Sequence, residues 1–87
     1  MSWLRFVNDR PSESGKTRLW DVVGVGQGVP LGHIQWFGRW RKYVFEPKYG
    51  TVFDEDCLRD IAAFCESRTK DHRRKSSETL TALRERQ

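Results

Sequence analysis

Arg39-Trp40-Arg41-Lys42 is the run in this sequence whose residue types and spacing best suit direct contact with a ligand. An exposed indole between cations can stack on a base while the cations meet phosphates. The same mixture of aromatic and Arg residues also makes hot spots at protein interfaces. A third reading is structural: Trp40 packs in the core or over a hairpin neighbour, and Arg41 pairs with Asp21, Asp56 or Asp60. The run lies within residues 31–47, LGHIQWFGRWRKYVFEP, which hold two of the four Trp and two of the five Phe. A second basic cluster, Arg73-Arg74-Lys75, comes late in the chain. It reads as a solvated tail, an added electrostatic contact to nucleic acid, or a segment that folds on a partner.

Other chemistry-bearing residues have simpler explanations. Gly24-x-Gly26-x-Gly28 lacks the spacing of a phosphate loop, and a strand rather than a helix follows it. Asp54 and Asp56 stand where a helix begins, so capping and the helix dipole account for them. His33 is a lone histidine on a strand, with no nucleophile at motif spacing. Cys57 and Cys65 are eight apart in a predicted helix, roughly 12 Å at about 1.5 Å per residue. That is beyond the reach of about 7 Å of a disulfide, and no metal-binding spacing accompanies them. They read as small core-facing thiols, which suits a reducing compartment. Nothing assembles the parts of an active site. The expectation is a binding protein that is not an enzyme, with no metal, no cofactor and no small-molecule substrate.

The elements that position these residues follow from periodicity. Residues 3–7 suggest a short first strand, and 8–16, NDRPSESGK, read as a loop. Residues 17–25 alternate as a strand with Trp20 and Val22 on one face. Residues 31–37 place Gly32, Ile34 and Trp36 on one face, and Leu31, His33, Gln35 and Phe37 on the other. Gly38 and Arg39 are expected to turn the chain, and residues 40–46 to return with Arg41, Tyr43 and Phe45 on one face. Gly32 leaves room for a neighbouring ring to lie over it. After Pro47, a helix capped by Asp54 carries Leu58, Ile61, Ala62 and Cys65 at the i, i+3, i+4, i+7 spacing of one face.

Past Cys65 the apolar stripe stops, and the helix is expected to run to about Lys70. The formal net charge is +4. Residues 1–65 carry nine Lys/Arg against eight Asp/Glu, and residues 66–87 carry seven against four. The basic excess therefore belongs mostly to the end of the chain. Residues 1–70 are expected to form one domain, and 71–87 a basic, flexible tail in which Leu80 and Leu83 are too few to bury a second helix. No stretch approaches the ~20 apolar residues of a membrane span. The opening MSWLRFVNDR is too short and polar for a signal peptide, so a cytoplasmic location is expected.

Three runs carry a resemblance: Trp20-x-Val22; Leu31-Gly32-x-Ile34-x-Trp36-x-Gly38-x-Trp40-Arg41-x-Tyr43-x-Phe45-x-Pro47; and Thr51-Val52-Phe53-x-x-x-Cys57-Leu58-x-Asp60-Ile61. They resemble a family of short uncharacterised proteins of bacteria, archaea and phages. The likeness spans about residues 17–65 and implies a phage or mobile-element connection, without a substrate or catalytic residue. In architecture alone the element order is similar to small DNA-binding domains of three strands backed by one helix.

The expected fold is α+β: a twisted antiparallel sheet of three or four strands with one C-terminal helix packed on one face. The expected core is Trp20, Val22, Ile34, Trp36, Tyr43, Phe45, Phe53, Leu58, Ile61 and Cys65. The expected function is nucleic-acid binding through Arg39, Trp40, Arg41 and Lys42, with His33 and Gln35 on the open face and Arg73, Arg74 and Lys75 assisting. The alternative is a protein–protein interaction module, a phage-type inhibitor or adaptor of a host complex.

Overall fold

Alternating apolar residues commit each strand to burying one face, and the chain answers with a sheet closed on that face by a helix. The computed structural model describes residues 3–26 and 28–85, with side chains as far as Arg74. It contains β1 (Leu4–Pro11), β2 (Arg18–Gly24), β3 (Pro30–Phe37), β4 (Lys42–Pro47) and α1 (Glu55–Glu85). The strands form an antiparallel meander in the order β1-β2-β3-β4. This is the α+β architecture expected, with four strands.

The buried face is the one the alternation selects. Trp20 pairs with Ile34, Ile34 with Phe45, and Trp36 with Tyr43. Leu4, Trp20, Val22, Ile34, Tyr43 and Ile61 are buried, with Phe6, Trp36, Phe45, Phe53, Phe64 and both cysteines packed against them. The Tyr43 ring meets Trp20 and Trp36 edge-on, at 5.3 and 5.2 Å. Its hydroxyl accepts a hydrogen bond from the Arg18 backbone N–H at 3.1 Å.

Four boundaries and placements differ from those read in the sequence. Residues 8–11 belong to β1 rather than to a loop. The register shifts between Val7 and Arg10, and Asn8 adopts φ 57°. A bulged edge strand accommodates the Pro and charges that composition assigns to a loop, and these features protect an edge from pairing with another chain. The β3–β4 turn holds four residues, 38–41, rather than two. The N–H groups of Trp40 and Arg41 both donate to the Phe37 carbonyl, at 3.1 and 2.9 Å. The longer loop slips the pairing by two residues. Side-chain parity survives, but Arg41 moves off the buried face into the turn.

The helix is the third difference. Leu58, expected in the core, is 52% exposed, and Ala62 is exposed at the border of α1 and β4, near Tyr43. Ile61 and Cys65 of the expected stripe do pack in the core, joined there by Cys57 and Phe64. Phe64 is the reason: its ring stacks on Phe6 at 4.0 Å and meets Trp20 edge-on at 5.0 Å. Burying that ring gains more than burying Leu58, because aromatic rings carry roughly 150–250 Å² each. The N-terminus is as expected, with the Cys57 N–H donating to the Asp54 carboxylate at 2.8 Å. Phe53 lies edge-on against Phe45 at 5.2 Å.

The fourth difference is the helix's length. It continues past Lys70 to Glu85, and at about 1.5 Å per residue it outreaches the sheet. His72 lies on Trp36 with ring centroids 4.5 Å apart, so the change of composition at residue 71 is no break in secondary structure. The side chains of Lys75, Leu80 and Leu83 lie outside the described residues.

Candidate nucleic-acid interface

The β3–β4 hairpin and the middle of α1 meet because a polar residue fastens them. The Tyr43 backbone N–H, on the edge strand β4, donates to the Thr69 hydroxyl at 2.9 Å. That hydroxyl in turn donates to the Cys65 carbonyl one helical turn back, at 2.8 Å. Thr69 is buried, and this pairing satisfies a strand-edge donor that would otherwise be costly to bury. One turn further along, the Arg73 guanidinium donates to the Arg41 carbonyl at 3.0 Å. Arg73 of the late basic cluster thus reaches the hairpin turn, 32 residues away in sequence.

At that turn the ring of Trp40 is 61% exposed and leans on Phe37, centroids 4.7 Å apart. Arg39, Arg41 and Lys42 are its neighbours along the chain, all exposed. Among the described residues no carboxylate forms an ion pair with Arg39, Arg41, Lys42 or Arg73. Two of the three partners that structural pairing offered Arg41 are engaged elsewhere: Asp21 with Asn8 and Arg10, Asp56 with Arg59. Arg41 adopts φ 54°, a conformation unusual for a non-glycine residue. Arg74 is held differently, 3.3 Å from Asp71.

His33 and Gln35 do lie on the open face of the sheet, but apart from this cluster. Four residues of strand separate His33 from Phe37, about 13 Å. Glu46 occupies both: its carboxylate lies 3.1 Å from His33 Nε2 and accepts from the Gln35 amide. Beside them Asp21 accepts from Asn8 at 2.8 Å and from Arg10 at 3.1 Å. The centre of the open face is thus a polar row closed on itself. Apolar Leu19, Val23 and Val44 flank it, each part-exposed; Leu31, expected on this face, packs against the core instead, at the register shift where Val22 pairs with Gly32 and Val23 with Pro30.

The Asn8 hydrogen bond, more than the Arg10 guanidinium, holds the Asp21 carboxyl below its ordinary value of 3.8. A depressed folded-state pKa contributes stability above the unfolded value and loses it as pH falls through the folded one. Acid titration of the fold should therefore lose this contribution below about pH 4, and Asp21→Asn should flatten that limb of a melting-temperature profile. An unchanged acid limb would show that the Asn8–Asp21–Arg10 row contributes nothing.

The thiols do not offer catalysis. Burial pushes the Cys65 thiol up to about 11, and burial also raises Cys57. Both are free and both stay protonated at neutral pH, so neither is an activated nucleophile. No group of three or more His, Cys, Asp or Glu among the described residues is placed to hold a metal ion. No helix of the described residues is long and apolar enough to cross a membrane.

Sequence reading missed two members of this end, Thr69 as the clamp on β4 and Lys70; Phe37 under Trp40 is the hairpin neighbour of the structural reading. The signal for Lys70 was its place one helical turn before Arg73. No local pattern marks Thr69, because its partner is a backbone group 26 residues away. Comparison with known proteins returns no match: no family model fits the chain, and no curated protein or solved structure is similar to it.

Proposed function

We propose that this protein binds nucleic acid through the hairpin end, and that it works by binding rather than catalysis. The observation carrying this reading is the exposed Trp40 ring among four cations, Arg39, Arg41, Lys42 and Arg73, that have no carboxylate partner among the described residues. Cations left unneutralised in this way attract phosphates, and an accessible indole face stacks on a base of any identity. The partner would be met in the cytoplasm. A phage or mobile-element setting rests on the resemblance of residues 17–65 alone.

A second reading has its own observation. The opposite end of the sheet exposes Trp3, Val25, Val29, Tyr49 and Val52, and clustered exposed apolar residues favour a protein partner. On that reading the chain is an interaction module, an inhibitor or adaptor of a host complex.

Fluorescence anisotropy with labelled DNA and RNA at two salt concentrations separates the two. With nucleic acid as partner, replacing Arg39, Arg41 and Lys42 by Ala weakens binding and flattens its salt dependence. Each lost phosphate contact removes about 0.7–0.9 from the log–log slope. Trp40→Ala separately costs about 1–3 kcal/mol. No binding at low salt, by folded protein, removes the nucleic-acid reading.

A further inference from the structure

The helix and the edge strand enclose a notch of about 370 Å³ beside the hairpin. Its inner side is Tyr43 and the helical residues Ala62, Cys65 and Thr69, and its rim carries Lys42, Glu66, Lys70 and Arg73. Three cations face one carboxylate, and Glu66 already engages Lys70 at 3.4 Å. The notch exists because small residues at 62, 65 and 69 form one stripe along α1, so the helix leaves space beside β4 where larger residues would fill it. A second cavity, about 420 Å³, lies between the β1–β2 loop and α1. Its Arg18 and Arg68 are paired in place with Asp9 and Asp71, which leaves Lys16 as its one unpaired Lys or Arg among the described residues, against Lys42 and Arg73 at the notch.

We infer that the notch is a nucleotide-sized subsite and that the ligand of the hairpin end is single-stranded. The inference rests on the nucleic-acid reading above. A volume of 370 Å³ lies at the small end of ligand pockets, about 300–1,000 Å³. It suits one unpaired nucleotide and excludes a duplex. An apolar inner side with a cationic rim matches the division of a nucleotide into base and phosphate. Trp40 makes the same demand, since a ring can stack fully on a base only where that base is released from its own stack. Arg73 joins the two sites, because it lines the notch while holding the carbonyl of Arg41 in the hairpin turn. Trp40 takes one base and the notch another, with the cations of the turn and rim meeting the phosphates. The centre of the open face takes no part: its carboxylates, Asp21 and Glu46, would oppose a phosphate backbone laid across it.

The test is anisotropy with single-stranded and duplex oligonucleotides of matched length, in DNA and RNA, using the full chain. Single strands should bind at least about tenfold more tightly than duplexes, the effect of one stacked base. Ala62→Leu fills the notch from an exposed helical position and should weaken single-strand binding severalfold while leaving the thermal melt unchanged. Should Ala62→Leu fail to fold, Lys70→Ala serves instead, since Lys70 is an exposed rim cation outside the hairpin. Equal or tighter binding of duplex overturns the inference and leaves the nucleic-acid reading standing. Single-strand binding unaffected by either variant also overturns it. Binding to neither form removes both.

Discussion

Phe64→Ala should destabilise the domain by about 3–5 kcal/mol, while Leu58→Ala on the same helix stays within about 0.5 kcal/mol. The two residues are nearly two turns apart and both are large and apolar, so the contrast isolates which face of α1 is buried. Phe64 stacks on Phe6 with the planes 5° apart, meets Trp20 at nearly a right angle, and carries the Arg68 guanidinium 5.7 Å from its centroid. Removing the ring leaves a cavity against β1 and β2 that the rigid strands cannot close, and cavity and lost burial add. Leu58 is more than half exposed, so truncating it removes little from the core. Global stability of small domains is about 5–15 kcal/mol, so the Phe64 variant should lose a large share of it. Urea denaturation followed by Trp fluorescence measures both. Equal losses at 58 and 64 would mean that the helix is rotated relative to the placement described.

Gly32→Ala should be costly although the change is a single methyl group. A Cβ at this position would run into the Glu46 carbonyl oxygen, with Phe45 Cε1 at 2.8 Å and the Pro47 Cα at 2.9 Å. The Phe45 ring occupies the space a side chain would need, and two of the three obstacles are backbone of the partner strand. The residue's φ of 157° adds strain for any L side chain. Overpacking a core costs about 1–3 kcal/mol where side chains can shift; here a strand must move, so the upper end or beyond is expected. Gly24→Ala is the control. It lies at the end of β2, has no heavy atom within 4 Å of the added carbon and no positive φ, so it should be neutral or stabilising through the unfolded chain. Parallel thermal melts decide the matter, and a Gly32→Ala variant as stable as the Gly24→Ala one would show that β3 and β4 are not in the close register observed.

Side-chain alternation determined the sheet. Trp20, Val22, Ile34, Tyr43 and Phe45 share a face because a strand repeats every two residues, and even the two-residue slip at the β3–β4 turn preserved that face. Asp54 marked the helix start for an equally local reason: its carboxylate reaches a backbone N–H three residues on. The Arg39–Lys42 run was legible as exposed chemistry because charged residues around a turn have little to bury against. Only the tertiary structure decided the rest. Ile61 and Cys65 kept the places that spacing favours, but whether Leu58 or Phe64 joined them depended on the space left by Phe6 and Trp20, on strands distant in sequence. The length of β1 depended on Asn8 and Arg10 finding Asp21 across the sheet. The meeting of Arg73 with the hairpin depended on Thr69 closing an edge of β4. Hydrogen bonds between groups so far apart in the chain leave no local period, so the sequence carried the residues of the candidate site while the fold alone brought them to one place.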